Sequence, residues 1–327
     1  MKPLVSILIP VYNAERWVAQ AIESALGQTW PFTEIIVVDD GSTDNSLSII
    51  RQYEKHGVKI VSQRNLGASS CRNRALEHAA GDFIQYLDAD DALSLDKVER
   101  AVEILIEGGP DKVAISDIVY FWDGDDPYSG TSHGSWPRVD TDNPLEWYID
   151  LLGPYGSGGM VQTGQWLIPK KVANDAGPWN DALSLDDDGE YFCRVVLRSK
   201  GLRQVPNGRY FYRKHHGGQS LGDGQSEKDH LSALNSLRLK KEHLLRETDV
   251  PEAKRALAKA YVTRAFVAYP SYPTITKTAL DHCRALGGSE KLLRTGSWKS
   301  EIIRYTLGWR LARRLSLWLH RLNSSDP

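Results

Sequence analysis

Buried-looking runs alternate with stretches of helical period through the first hundred residues. Val5-Ser6-Ile7-Leu8-Ile9-Pro10-Val11 is a mostly apolar run stopped at Tyr12-Asn13, which predicts a buried strand and then a loop. Over residues 15–28 the apolar positions are Trp17, Val18, Ala21, Ile22, Ala25 and Leu26, with Gly27 near the end. That spacing predicts a helix. Residues 34–38 predict a second strand. Ser42, Thr43 and Asp44 are suited to cap a helix over 45–56. A third strand follows at 58–61, a helix at 68–80 closed by Gly81, and a fourth strand at Phe83-Ile84-Gln85-Tyr86-Leu87, with Gln85 its only polar residue. Strands alternating with helices predict an α/β fold with a mostly parallel sheet flanked by helices in three layers.

The polar residues gather where these runs stop. The fourth strand ends in Asp88-Ala89-Asp90-Asp91, and three ionised carboxylates cannot lie unpaired in a core. They belong at a strand end, facing solvent or a cation. Asp88 and Asp90 in Asp-x-Asp spacing offer two hard oxygen ligands where a divalent ion could bridge to a diphosphate. The plainer reading is a polar turn; within it, Asp91 is assigned as a cap of the next helix. In parallel sheets ligands bind beyond the carboxyl ends of the strands. Pro10 to Asn13 end the first strand, Asp39 and Asp40 the second, Asp88 to Asp91 the fourth, so the topology brings all three to one edge. No Gly-x-Gly-x-x-Gly and no Walker A loop follows the first strand.

Residues 95–107 predict an amphipathic helix and 112–122 a strand. Residues 123–144 read as one long loop on the acceptor side, rich in Gly, Asp, Ser, Thr and Pro. Asp186-Asp187-Asp188 precede a helix carrying Arg194, and 201–212 predict a returning strand that leads to His215 and His216. Helices are expected at 226–248, 251–269, 275–285 and, as one piece, 298–322. The last has Ile303, Leu307, Leu311, Leu315, Trp318, Leu319 and Leu322 on one stripe and Arg304, Arg310, Arg313, Arg314 and Arg321 elsewhere. Such a helix suits contact with an anionic membrane surface, packing on the protein, or a dimer contact.

The 327 residues carry a net charge of -2, which excludes a nucleic-acid binder relying on bulk basicity. Three scattered cysteines form no CxxC, favouring a reducing compartment over a disulfide framework. The uncharged stretch 151–169 is too rich in Gly, Pro, Ser and Gln to span a membrane, and the N-terminus runs directly into a strand pattern. The expectation is a cytoplasmic protein, with peripheral contact at the inner membrane face through 298–322.

SILIPVYNAERWVAQAIESALGQTW, EIIVVDDGSTDNS and QRNLGASSCRNRALEHAAGDFIQYLDADD, in that order, resemble the nucleotide-sugar-binding half of a family-2 glycosyltransferase with the GT-A fold. The resemblance implies an inverting enzyme using a nucleoside-diphosphate sugar, UDP-sugar favoured, with Mn²⁺ or Mg²⁺. Its acceptor would be a glycan or lipid-linked saccharide, in polysaccharide or glycoconjugate synthesis. Pro10, Tyr12 and Asn13 would line the nucleoside pocket. Asp39 would read the base N–H, with Asp40 close behind. Arg72 would face the diphosphate or close the base pocket. Asp88 and Asp90 would hold the metal, Asp90 the more direct ligand. By position in the family's acidic-pair element Asp188 would be the general base, with Asp187 and then Asp186 behind it. His215, matching a Tyr-Arg-x-His element, would touch the diphosphate or the metal. The implied organisation is a glycosyltransferase domain over 1–225, with a nucleotide-sugar half at 1–100 and an acceptor half at 101–225, then a helical region at 226–327. The competing readings are a nucleotidyltransferase acting on sugar phosphates, whose usual Gly-rich basic loop is absent, and a non-catalytic nucleotide-sugar-binding protein.

Overall fold

The computed structural model describes residues 2–133, 140–153, 161–215, 226–293 and 298–323. The first apolar run forms β1 (Val5–Val11), followed by α1 (Val18–Leu26), β2 (Thr33–Asp39), α2 (Ser46–Arg51), β3 (Lys59–Ser62), α3 (Ala68–His78) and β4 (Phe83–Tyr86). β1 is parallel to β2 on one side and to β4 on the other, and β3 extends the sheet beyond β2. The chain steps outward from β1 to β3 and then returns across β1. That reversal opens a crevice at the carboxyl ends of β1 and β4. The helix expected over 45–56 is shorter, because α2 gives way to a 3₁₀ turn at Glu54–His56 that closes on left-handed Gly57.

Next come β5 (Ala92–Leu93), α4 (Lys97–Gly108), β6 (Val113–Trp122), β7 (Thr131–His133), α5 (Pro144–Leu152), β8 (Trp166–Pro169), α6 (Lys170–Ala176), α7 (Asp187–Arg198) and β9 (Leu202–Lys214). The sheet order is β3-β2-β1-β4-β8-β6-β9-β5, with β7 beside β6. β8 runs antiparallel to both β4 and β6, β9 parallel to β6, and β5 antiparallel to β9. The sheet is therefore parallel in its first half and mixed in its second. Residues 123–144, expected as one loop, contain a 3₁₀ turn at Pro127–Ser129 and the strand β7. Tyr128 packs on Phe211 with ring centroids 4.8 Å apart, giving this polar stretch an apolar anchor. Residues 134–139 of that stretch lie outside the described residues.

Gln85, the one polar residue in β4, is fully buried and satisfied. Its amide donates to the Gly164 carbonyl at 2.9 Å, and its oxygen accepts from the Lys97 ammonium. Lys97 is itself fully buried, and burial pushes its pKa well below the ordinary lysine value.

The chain divides into two compact units, Met1–Tyr148 with Met160–Gly224, and Ile149–Gly159 with Gln225–Pro327. The second contains α8 (Glu227–Glu247), α9 (Pro251–Ala268), α10 (Pro273–Ala285), α11 (Trp298–Leu307) and α12 (Trp309–Asn323). Here the expected single helix over 298–322 is corrected to two. Gly308 adopts φ 83, a left-handed conformation that ends α11 before α12 begins at Trp309. The apolar stripe is broken at the same point. Trp309 and Ala312 are buried, and Trp309 packs against Phe266 and Tyr269, whereas Leu311 and Trp318 are exposed. Nor are the arginines a uniform solvated face, since Arg304 pairs with Glu301 and Arg310 with Glu290. Among the described residues no helix is long and apolar enough to cross a membrane.

Candidate functional site

The residues expected on the nucleoside side occupy the ends of β1 and β2. Pro10 is partly buried, and Tyr12 is exposed. Asn13 sits in the left-handed region at φ 49, where its side-chain oxygen accepts from Thr43 N at 2.8 Å and its own N–H donates to Ser42 Oγ at 3.1 Å. Asp44 lies one residue before the cap position Asn45 and accepts from Ser46 N, the first N–H of α2, at 2.9 Å. Asp39 and Asp40 are both buried, but their partners differ. Asp40 accepts from Gln63 Nε2 at 2.7 Å, Leu66 N at 3.0 Å and Gly67 N at 2.8 Å, so both its oxygens organise the loop before α3. Asp39 accepts only from Ser42 N, at 3.3 Å, among the described residues. Gly41 between these turns has φ 72, and a Cβ there would stand 2.9 Å from Asn65 N, so only glycine fits.

Arg72, on α3, is the electrostatic centre of the edge. Its Nη2 meets Asp88 Oδ1 at 2.9 Å and its Nη1 meets Asp187 Oδ2 at 3.1 Å. The guanidinium lies 4.6 Å over the Trp179 ring, and Ser69, one turn earlier, donates to Asp187 Oδ2 at 2.8 Å. Burial alone would disfavour this charge, but Asp88 and Asp187 hold Arg72 firmly protonated. Burial raises the Asp88 pKa, against the pull of Arg72 and with the repulsion of Asp90 and Asp187 adding to it. Arg72 thus ties the end of β4 to the start of α7.

Asp90 faces another way. Its Oδ2 lies 2.9 Å from His215 Nε2, just past the end of β9. Asp91 is corrected: it does not cap the following helix. It is buried, accepting from Arg213 N at 2.7 Å and from the Tyr210 hydroxyl, which anchors the turn to β9. The three acids of the turn therefore point to three different partners. His216 and the glycines that follow it lie outside the described residues.

Asp188 lies in the first turn of α7, after Asp186 at φ 62, and keeps some exposed surface. Its Oδ1 accepts from Gly189 N at 2.7 Å. Burial, then repulsion from Asp187 and Asp186, pushes its pKa up to about 7, with Arg72 opposing. Arg194 serves a different purpose, pairing with Glu190 at 2.8 Å and donating to the Pro178 carbonyl at 2.8 Å, which fastens the Trp179 segment to α7.

The structure thus joins Arg72, Asp88 and Asp187 directly, and Asp90 to His215. Asp39 and Asp40 stand at the neighbouring strand end, where Cys71, next to Arg72, bonds to the Val38 carbonyl at 3.1 Å. Sequence reasoning missed Ser69, Trp179, Trp17, Asp123 and Arg213. Ser69 carried a signal in lying three residues before Arg72 on the same helix face, and Arg213 in being the arginine of the Tyr-Arg-x-His element.

A divalent ion takes hard oxygen donors, and manganese also accepts imidazole. Among the described residues no three His, Cys, Asp or Glu side chains are grouped to hold a metal. Asp90 with His215 is a two-donor set of suitable chemistry, and sites that share the ion with substrate phosphates need no more from the protein.

The profile of the family described as "Glycosyl transferase family 2" matches residues 6–174, more than half of the sequence. The chain belongs to that family. TuaG of Bacillus subtilis, named for teichuronic acid biosynthesis, is 42% identical over 109 residues, covering 32% of this chain and 43% of TuaG. GgaA of the same organism, a minor teichoic acid biosynthesis protein, is 26% identical over 290 residues, covering 84% of this chain and 62% of GgaA. The chain thus spans less than two thirds of either relative. The crystal structure of S. aureus TarS 1-349 in complex with UDP-GlcNAc shares the fold, with a TM-score of 0.60 at 17% identity over 90% of this chain and 93% of that one. The fold class is the α/β GT-A arrangement with helices at the C-terminal end.

Proposed function

We propose that this family-2 chain is an inverting glycosyltransferase. It moves a sugar from a nucleoside-diphosphate sugar, with UDP as the favoured nucleotide, to a hydroxyl of a glycan or lipid-linked saccharide. The observation that carries this reading is the acidic turn of Asp187 and Asp188, which Arg72 ties to the Asp-x-Asp strand end, where burial and the neighbouring acids push Asp188 up to about 7. A general base works best when its pKa lies close to the working pH. The acidic turn around Asp188 is also what an acceptor hydroxyl would need beside the leaving diphosphate.

In this mechanism Asp39 receives the base N–H, while Tyr12, Pro10 and Asn13 line the nucleoside side. Asp40 shapes the loop instead of reading the base, because its oxygens are already engaged. Asp188 takes the proton of the acceptor hydroxyl as that oxygen attacks the anomeric carbon from the face opposite the diphosphate. Asp187 is fixed by Ser69 and Arg72 and keeps Asp188 raised. Arg72 supplies positive charge beside the diphosphate. Asp90 and His215 would hold Mn²⁺ or Mg²⁺, with Asp88 supporting from its pair with Arg72. When bound, that ion neutralises charge developing on the leaving group. The exposed Leu311, Arg314 and Trp318 of α12 suit an anionic lipid surface, where lipid-linked acceptors are found.

Two measurements test the donor side. In a thermal-shift screen, UDP with Mn²⁺ at about 100 times its Kd should stabilise the protein by roughly 2.7 kcal/mol, and UDP with a chelator should do much less. A screen of nucleotides and nucleotide sugars with no response in either condition would sink the proposal. Asp39→Asn should weaken UDP binding about 10- to 100-fold by calorimetry, the worth of one charge-assisted hydrogen bond. Asp40→Asn should show up chiefly as a lower Tm.

A further inference from the structure

Four side chains close a circuit that begins and ends at Asp90. Its Oδ2 lies 2.9 Å from His215 Nε2. The His215 ring packs on Trp17, with centroids 4.6 Å apart. Trp17 Nε1 donates to Asp123 Oδ1 at 2.9 Å. The same oxygen accepts from Arg213 Nη1 at 3.2 Å. Arg213 Nε then donates to the backbone carbonyl of Asp90 at 2.6 Å, which completes the circuit.

Arg213 is suited to this place. Its side chain is only 4% exposed, and its guanidinium lies 4.6 Å over the Phe121 ring. Its third nitrogen bonds to Gln20 Oε1, and its backbone N–H holds Asp91. A planar guanidinium has fixed donor directions, so three acceptors around it define one orientation. The Asp90 carboxylate, by contrast, is 38% exposed. What fixes it is its carbonyl, held by Arg213, and its bond to His215. His215 in turn is placed by Trp17, and Trp17 by Asp123. Arg16 also pairs with Asp123, at 2.9 Å, so the carboxylate gathers donors from the start of α1 and the end of β9.

We infer that Arg213 and Asp123 are positioning residues for Asp90 and His215, setting the geometry in which that pair meets a divalent ion and a nucleoside diphosphate. The inference rests on the donor-site reading above. Groups behind a metal ligand typically change metal affinity about 10- to 100-fold when removed. A merely structural Arg213 would instead affect the fold without singling out metal-dependent binding.

The test is calorimetry of UDP binding to the full chain, with Mn²⁺ and with a chelator, alongside Tm. The quantity of interest is the gain in UDP affinity that Mn²⁺ confers. In R213K, which keeps the charge but loses the fork, and in D123N, which keeps the shape, that gain should shrink about 10-fold or more. Chelated UDP binding should stay within about 2-fold of wild type, since neither residue is placed at the nucleoside pocket or the diphosphate. D90N and H215A serve as controls and should abolish the gain. If the controls abolish it while R213K and D123N keep it, the inference is overturned whatever their Tm. If the controls keep it too, the donor-site reading falls and takes the inference with it. Should R213K fail to fold, D123N alone decides.

Discussion

Asp188→Asn should leave UDP binding nearly unchanged while lowering turnover by roughly 10³-fold, within the range that general bases contribute. Asparagine keeps the size of the side chain and its bond to Gly189 N, but it cannot take a proton. The wild-type rate should rise with pH and level off above about 7, where Asp188 is ionised, and this limb should vanish in the variant. Stability supplies a second, independent signature. The carboxyl has an ordinary value of 3.8 and a folded value of about 7, so between those pH values the folded chain holds a proton that the unfolded chain has released. That contribution is fully present below 3.8 and is lost as pH rises through about 7. The asparagine variant lacks this dependence, so its Tm should fall less than that of wild type as pH rises through the window. Turnover within 3-fold of wild type would remove Asp188 from the role of base, since even a weak general base contributes about 10²-fold.

Arg72→Met should be the most destabilising single change at the site. It would leave Asp88 and Asp187 facing each other with no cation between them. Breaking a fully buried pair costs about 3–5 kcal/mol, and the residual exposure of both partners lowers the expectation here to about 2–3 kcal/mol. The loss should be largest near neutral pH and shrink in acid, because protonating the freed carboxylates relieves the repulsion. Denaturant melts at two pH values check this. A pH-independent loss would mean that packing on Trp179, and not charge, is what Arg72 supplies. Arg72→Lys should recover only part of the loss, since one ammonium cannot make both contacts in fixed geometry. Both variants should also lower activity, because Asp187 and Asp188 share the turn that Arg72 holds.

These two residues differ in how much of their setting could be read in advance. Asp188 was reachable through its place in the acidic-pair element that the resemblance implies, and adjacent acids before a helix raise one another's pKa whatever the fold. The resemblance placed Arg72 at the diphosphate or the base pocket without naming its partners, and the acids nearest to it along the chain are Glu77 and Asp82. In the folded chain Glu77 pairs with Arg74, and Asp82 accepts from Leu4 N. The actual partner Asp187 is 115 positions away, and no local pattern reports such a contact. Asp91 makes the same point in reverse. Its sequence position suited a cap, yet β9 returns beside the turn and supplies two donors, while the helix begins only at Lys97 with Asp96 in the cap position.

The sequence by itself determined the alternation of strand and helix, the parallel β1 to β4 core, and the edge where Asp39, Asp88, Asp90 and the Pro10-to-Asn13 turn collect. Those follow from local periodicity and from the rule that parallel strands end at a common edge. Only the tertiary structure decided which acid does what. It spent Asp40 on loop amides and left Asp39 with spare capacity. It sent Asp88 to Arg72, Asp90 to His215 and Asp91 into the interior, and it split the last helix at Gly308. Each of these outcomes depends on a donor, a ring or a backbone angle brought in from distant positions. Carboxylates are alike along the chain, and they become different only through the partners that folding places beside them.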